Sequence, residues 1–210
     1  MNPLLELRNI RAGYGTIDVL HGVSFSIGAG QMYALLGPNG AGKTTTMGVC
    51  SGQIVPSAGQ LLLNGKEVGG VSSDALARTG VCLVPEGRGV FPNLTVLENL
   101  RMATYAGGSF SDVVDKAFTQ FPPLASRRHQ LAGTLSGGEQ QMLSMSRALA
   151  TDPALLLLDE LSTGLAPIIV EDLYGVVSAL AGDGVTVIVV EQFAQFALSL
   201  IHISEPTRPY

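Results

Sequence analysis

Gly37-Pro-Asn-Gly-Ala-Gly-Lys-Thr-Thr45 follows an apolar run, Met32 to Leu36, and leads into a helix-like segment, Thr44 to Cys50. The run reads as a buried strand, so the stretch is G-x-x-x-x-G-K-[ST] in the setting that pattern requires, strand then loop then helix. Gly37, Gly40 and Gly42 free the backbone to curl, so that successive N–H groups can point inward at phosphate oxygens. The helix that follows adds the positive end of its dipole. Lys43 is placed to reach β- and γ-phosphates, and the Thr44 hydroxyl to ligate Mg²⁺. A glycine-rich turn before a lysine shares the spelling but lacks the flanking strand and helix. The stretch therefore predicts a nucleoside triphosphate site, with ATP the expected ligand.

The totals fit such a site. At 210 residues the chain suits one large α/β domain, or a core with a small inserted subdomain. Apolar residues make up 46% and charged residues only 14%, which leaves few groups to keep a surface wet and implies faces covered by partners. The net charge of −5 argues against nucleic acid as the partner, because phosphate backbones select basic patches. Cys50 and Cys82 sit in apolar segments without metal-ligand spacing and read as two buried, reduced core thiols, hence a cytosolic setting. No apolar run approaches the ~18–20 residues of a membrane span, and the N-terminus lacks a basic and apolar leader. A link to a membrane is then expected to run through another chain.

Strand-like alternation covers Leu4 to Tyr14 and Val19 to Ile27, with Gly13 and Gly15 at the turn between them. After the phosphate loop and its helix, Gly59 to Asn64 reads as a strand closed by the Asn64-Gly65 hairpin signal. A short helix is expected over Asp74–Arg78 and a strand over Val81–Val84. From Pro85 to about Gly133 helical periodicity takes over, in Thr95–Tyr105 and Asp112–Phe121, with Thr95 and Ser111 as N-cap candidates. Gly107-Gly108 and Pro122-Pro123 break that insertion. Helix is expected again over Gly137–Ala150 and Pro167–Ala181, and buried strands over Ala154–Leu158 and Val185–Val190. Strands alternating with helices imply a mainly parallel sheet covered on both faces.

Two further stretches carry chemistry. The Ala154–Leu158 strand runs into Asp159-Glu160, at the carboxyl end where α/β proteins put their ligands. Asp159 can hold Mg²⁺ through water, and Glu160 is placed to polarise a water for in-line attack on the γ-phosphate. An acidic turn capping the next helix is the plain alternative; beside the phosphate loop, the catalytic reading is the stronger one. In Leu135-Ser-Gly-Gly-Glu-Gln-Gln141, Ser136 is a good N-cap and the two glycines let a phosphate come close to the helix start.

Taken in order, the phosphate loop, helical insertion, Leu135–Gln141 stretch and Leu-Leu-Asp159-Glu160 resemble the ATP-binding cassette (ABC) ATPases from about residue 4 to 198. The resemblance implies a P-loop NTPase fold of the ABC nucleotide-binding type. That fold has a mainly parallel core sheet, an antiparallel β subdomain and an inserted helical subdomain of about residues 86–148. It implies two cassettes packed head to tail, each ATP lying between one phosphate loop and the partner's signature. Gly37, Asn39, Gly40, Gly42, Lys43, Thr44, Thr45, Asp159 and Glu160 would then act in cis, and Ser136, Gly137 and Gly138 in trans. Tyr14 falls where the family stacks an aromatic on adenine; a strand tyrosine half buried at the sheet edge is the alternative.

A narrower resemblance points to importer cassettes for branched-chain amino acids, specifically the shorter of their two ATPase subunits. It rests on Val84-Pro-Glu-Gly-Arg-Gly-Val-Phe-Pro-Asn-Leu-Thr-Val-Leu-Glu-Asn-Leu100, Gly164-Leu-Ala-Pro167 and Val190-Glu-Gln-Phe193. It implies membrane permease subunits, a second ATPase subunit, identical or not, a solute-binding protein acting indirectly, and a place on the cytoplasmic face of the membrane. The same stretches depart from the general ABC pattern. Glu86 stands where most cassettes have a glutamine, and still offers an oxygen to Mg²⁺ or water. Ala166 replaces the usual Asp, removing an intersubunit contact, and Leu161 stands where Pro is usual, which has no physical account. Gln192 occupies the position of the switch histidine; its amide can donate to the γ-phosphate but cannot carry a proton or a positive charge, so slow but real hydrolysis is expected.

His21, His129 and His202 are scattered away from metal-ligand partners, and Arg127-Arg128-His129 reads as a solvated basic face, with a contact to the signature loop or to a membrane subunit as the alternative. After Leu198 the resemblance stops. Ser199–Tyr210, with Pro206 and Pro209, looks like translated adapter sequence and is expected to be foreign and disordered. Other readings are a soluble ABC ATPase acting on ribosomes or nucleic acid, an importer of urea or amides, and a fragment that binds ATP without coupling. The first normally brings tandem cassettes, a coiled coil or basic extensions, none of which is present in this sequence.

Overall fold

The computed structural model describes residues 3–87, 89–104 and 108–192. In chain order its first elements are β1 (Leu5–Tyr14), β2 (Ile17–Ile27), β3 (Met32–Leu36), α1 (Lys43–Cys50), β4 (Ala58–Leu63), β5 (Lys66–Glu67), α2 (Ser73–Arg78) and β6 (Val81–Val84). Then come α3 (Val96–Ala103), α4 (Phe110–Gln120), α5 (Pro122–Ser126), α6 (Gly137–Leu149), β7 (Leu155–Asp159), α7 (Pro167–Gly182) and β8 (Thr186–Glu191). The expected end of an insertion helix at Tyr105, the break at Gly107, and the Ser199–Tyr210 stretch lie outside the described residues.

Two sheets divide the strands. An antiparallel sheet runs β2-β1-β4-β5, and a parallel sheet runs β3-β8-β7-β6. The Asn64-Gly65 signal makes the β4–β5 turn, with both residues at positive φ. In the parallel sheet side chains alternate between faces at every residue. Leu156 and Leu158 of β7 and Val187 and Val189 of β8 join the core formed with α3, α4, α6 and α7. Leu155, Leu157, Ile188 and Val190 join the other core, with Met47 and Val49 of α1 and Leu5, Leu7 and Ile10 of β1. A strand buried on both sides must be apolar at every position, which is why β7 and β8 read as unbroken apolar runs. The helical insertion shares its core with the sheet through Val96, Leu100, Val113, Ala117 and Leu143.

Three expectations need correction. Met32–Leu36 is half-buried, with Leu36 47% exposed, because β3 pairs only with β8 among the described residues and forms the edge of its sheet. Helix α4 starts at Phe110, so its N-cap is Ser109, whose hydroxyl hydrogen-bonds that of Ser111 at 2.6 Å instead of capping the helix. Cys82 is half-buried beside the Thr151 hydroxyl at 3.0 Å, whereas Cys50 is wholly buried and pushed up to about 12 by desolvation. Thr95, by contrast, caps α3 as expected, and Glu98 closes a capping box on it.

Candidate nucleotide site

The parallel sheet delivers its chemistry by register. Leu36 pairs with Glu191, Val190 with Asp159, and Leu158 with Val84. The residues that leave the four strand ends are therefore Gly37, Gln192, Asp159-Glu160 and Pro85-Glu86, gathered along one carboxyl edge. A pocket of about 340 Å³ opens there, lined by Val19, Asn39, Gly40, Gly42, Lys43, Thr44, Thr45, Glu86 and Glu160. Its size falls in the range of small-ligand sites.

The loop is built for an anion. Gly42 is the N-cap of α1 at φ 85°, where a Cβ would come within 2.7 Å of Leu20, and it contributes no side-chain cap. The first-turn N–H groups of α1 are thus left to a ligand, with the helix dipole behind them. Gly40 is also at positive φ, whereas Gly37, expected to curl the loop, keeps an ordinary φ. Lys43 is buried, its Nζ donating to the carbonyls of Gly37 at 2.8 Å and Pro38 at 3.1 Å and standing 3.6 Å from Glu160 Oε1.

Asp159 is buried, and desolvation pushes its carboxyl above the usual aspartate value; a Thr44 hydrogen bond opposes the push, Glu160 and Glu86 add to it, and Lys43 opposes it. Its Oδ1 is buried with no hydrogen-bond partner. An orphaned carboxylate oxygen beside a threonine hydroxyl is the donor set a hard divalent cation takes, and Thr44 and Asp159 fit Mg²⁺ on that ground. Among the described residues no group of three or more His, Cys, Asp or Glu forms a metal cluster. Glu160 turns out of β7 at φ 49°, its N–H donating to Val190 O at 3.0 Å and its Oε2 accepting from the Thr163 hydroxyl at 3.1 Å.

The remaining predicted residues lie elsewhere. Tyr14 is 54% exposed at the end of β1, outside the pocket lining, where Val19 appears instead. Gln192 is exposed one residue beyond β8. Ser136, Gly137 and Gly138 also lie outside that lining. Ser136 caps α6, its hydroxyl accepting from Glu139 N–H, while Glu139 accepts from Ser136 N–H and Oγ–H in return. Gly138 has a packing role besides: a Cβ there would lie 2.6 Å from Ile169 of α7. The basic run Arg127-Arg128-His129 is exposed, as expected of a solvated face, and Arg127 also forms an ion pair with Glu139 of the signature helix.

Sequence reasoning missed Glu191, Ser162 and Tyr174, a buried polar cluster behind the turn at Glu160. It also missed Asn99, fully buried, whose amide donates to the carbonyls of Phe91, Leu94 and Thr95 and whose oxygen takes Phe91 N–H, ordering the chain from Phe91 to the start of α3. An asparagine inside an amphipathic helix pattern was the signal for Asn99.

The sequence model of the family described as ABC transporter matches residues 20–163. The chain is similar to the high-affinity branched-chain amino acid transport ATP-binding protein BraG of Pseudomonas aeruginosa, at 44% identity over 94% of this chain and 85% of that protein. It is also similar to a probable branched-chain amino acid transport ATP-binding protein, LivF, of Archaeoglobus fulgidus, at 36% identity with the same coverage. A Nod factor export ATP-binding protein I of Cupriavidus pinatubonensis is 35% identical over 94% of this chain and 61% of its own length. Among solved structures, the ADP conformation of MJ1267, an ATP-binding cassette of an ABC transporter, superposes with a TM-score of 0.82 at 27% identity, over 95% of this chain and 85% of that one. The dimeric cassette MJ0796 shares the fold with a TM-score of 0.83 at 22% identity, over 92% of this chain and 90% of that one.

Proposed function

Because the chain belongs to the ABC transporter ATP-binding family and is an ATPase subunit of that kind, we propose that it powers uptake of branched-chain amino acids. The similarity to branched-chain amino acid transport ATP-binding proteins supports the choice of solute, and the convergence of Lys43, Thr44, Asp159, Glu160 and Glu86 at the carboxyl edge of the parallel sheet supports the ATP chemistry that would power it. There the α1 amides and Lys43 hold the triphosphate, and Asn39 and Thr45 shape its cradle. Thr44 and Asp159, with Glu86 beside them, hold Mg²⁺, which when bound supplies Lewis-acid polarisation of the phosphate oxygens. Glu160 orients and deprotonates the attacking water, and Gln192 donates its amide to the γ-phosphate. Tyr14 stacks on adenine from the end of β1.

Ser136, Gly137 and Gly138 sit apart from the pocket, so they serve the nucleotide of a second ATPase subunit packed head to tail. In this reading residues 1–198 form one ATPase domain with the helical subdomain at about 86–148, Ser199–Tyr210 is foreign to it, and the assembly docks on permease subunits at the cytoplasmic face. Among the described residues no helix is long and apolar enough to cross a membrane.

The test is ATP-driven uptake of labelled leucine by vesicles holding the chain with its permease subunits. Accumulation lost in a Lys43→Ala variant supports the reading. The similarity to Nod factor export proteins favours a second direction, and label leaving preloaded vesicles on ATP addition would establish export instead.

A further inference from the structure

Glu191 ends β8 and is buried. A buried carboxylate is costly unless donors satisfy it. Three do so here: Ser162 N–H reaches Oε1 at 3.2 Å, the Ser162 hydroxyl reaches Oε2 at 2.7 Å, and the Tyr174 hydroxyl donates to Oε1. Glu191, Ser162 and Tyr174 all lie outside the pocket lining, so the cluster does not touch nucleotide there.

What the cluster holds is the turn that leaves β7. Glu160 adopts φ 49°, a region that glutamate rarely enters and that persists only where the surroundings enforce it. Val190, on the neighbouring strand, takes the Glu160 N–H, and Glu191 takes both donors of Ser162 two residues on. The turn is thus fastened to β8 at both ends, by a main-chain carbonyl and by a side chain. Tyr174 braces the same carboxylate from α7, and burial followed by the neighbouring Glu191 charge pushes its phenol well above the usual value.

We propose that Glu191 is a positioning residue for ATP hydrolysis: braced by Tyr174, it grips Ser162 and fixes the left-handed turn that aims Glu160 into the nucleotide pocket. The proposal rests on the reading of Glu160 as the catalytic carboxylate. A leucine at 191 would leave the buried Ser162 N–H without its acceptor and remove the carboxylate that ties the Ser162 and Tyr174 hydroxyls to β8. A glutamine would keep the arrangement, its oxygen taking the Ser162 N–H and Tyr174 hydroxyl while its amide donates to a reoriented Ser162 hydroxyl.

Steady-state ATPase against ATP concentration, on the full chain with its membrane subunits, tests this. Glu191→Leu is expected to lower kcat about tenfold or more through misplacement of Glu160, with KM within about twofold of the parent. Glu191→Gln is expected to restore kcat to within about threefold, since its contacts survive. A Leu variant with kcat within about twofold of the parent, a Gln variant as impaired as Leu, or kcat and KM moving together would each overturn the proposal. Should Glu191→Leu not fold, Ser162→Ala carries the test, with kcat expected to fall about threefold at unchanged KM; an unchanged kcat overturns it. Glu160→Gln, run alongside, separates the two readings. If that variant hydrolyses ATP normally the assignment of Glu160 fails; if it is inactive while Glu191→Leu is normal, only the positioning role fails.

Discussion

Lys43 Nζ stands 3.6 Å from Glu160 Oε1, both side chains at most 10% exposed, in the pocket that the two residues line. An incoming triphosphate competes with Glu160 for that amine. Glu160→Gln keeps the shape and removes the competing charge. ATP should then bind more tightly, by about fivefold if the pair is worth about 1 kcal/mol. Hydrolysis should fall by about 10²-fold or more with the general base gone. Titration with a fluorescent ATP analogue and a steady-state ATPase assay read the two effects separately. Unchanged hydrolysis would remove Glu160 from the mechanism.

Asp159 sets a pH dependence. Burial raises its carboxyl above 3.8, so the folded chain binds that proton more tightly than the unfolded chain does. The stabilising contribution is full below the unfolded value and is lost as pH rises through the folded one. At neutral pH the ionised group therefore weakens the fold in the absence of a cation. Asp159→Asn should raise Tm at pH 7 by a few degrees, on the order of 1 kcal/mol. The same variant should lose the additional thermal shift that Mg-ATP gives over ATP alone. Differential scanning fluorimetry at two pH values measures both; a lower Tm at pH 7 would contradict the sign.

Much of this site was legible because its parts are local. The strand at Val81–Val84 and the Thr95 cap fall where the pattern puts them, since a short apolar run and a capping box are written within a few residues. Leu36 misled because the edge position of β3 is a property of strand order, which the local pattern does not carry. Ser109 and Ser111 offer equal caps two residues apart, and only packing of Val113 and Ala117 into the core chooses the helix phase. Glu191 was invisible for a different reason: its partners are 17 and 29 residues away, and a glutamate after an apolar run reads as the strand's wet end. Arg127 found Glu139 across a turn and a short 3₁₀ helix, which charge counting alone does not anticipate.

Ala166 is the N-cap of α7 and supplies no side-chain cap, although Pro167 follows at the first helical position. An aspartate there would accept a first-turn N–H and meet the positive end of the helix dipole. Ala166→Asp should therefore stabilise the chain by about 1 kcal/mol, a Tm gain of a few degrees. If the position also faces a second subunit, as the family resemblance implies, the variant should dimerise at lower protein concentration with ATP. Light scattering in a Glu160→Gln background measures that. A gain in Tm without a change in dimerisation would confine the residue to capping.

Gln192 follows directly on Glu191 and is exposed at the end of β8, one strand over from Asp159. Its amide can donate one hydrogen bond toward a phosphate but holds no titratable proton. Between about pH 6 and 8 the parent should show no rate change arising from this position. Gln192→His introduces an imidazole whose ordinary pKa is about 6.5. Its cationic form adds charge where the γ-phosphate develops negative charge, so kcat should rise by about tenfold at low pH. The gain should decline as pH rises through the imidazole pKa, giving a limb that the parent lacks. A kcat profile of both proteins over about pH 5.5–8.5 separates the cases. Parallel profiles, with no new limb in the variant, would place residue 192 outside the reacting phosphate's reach.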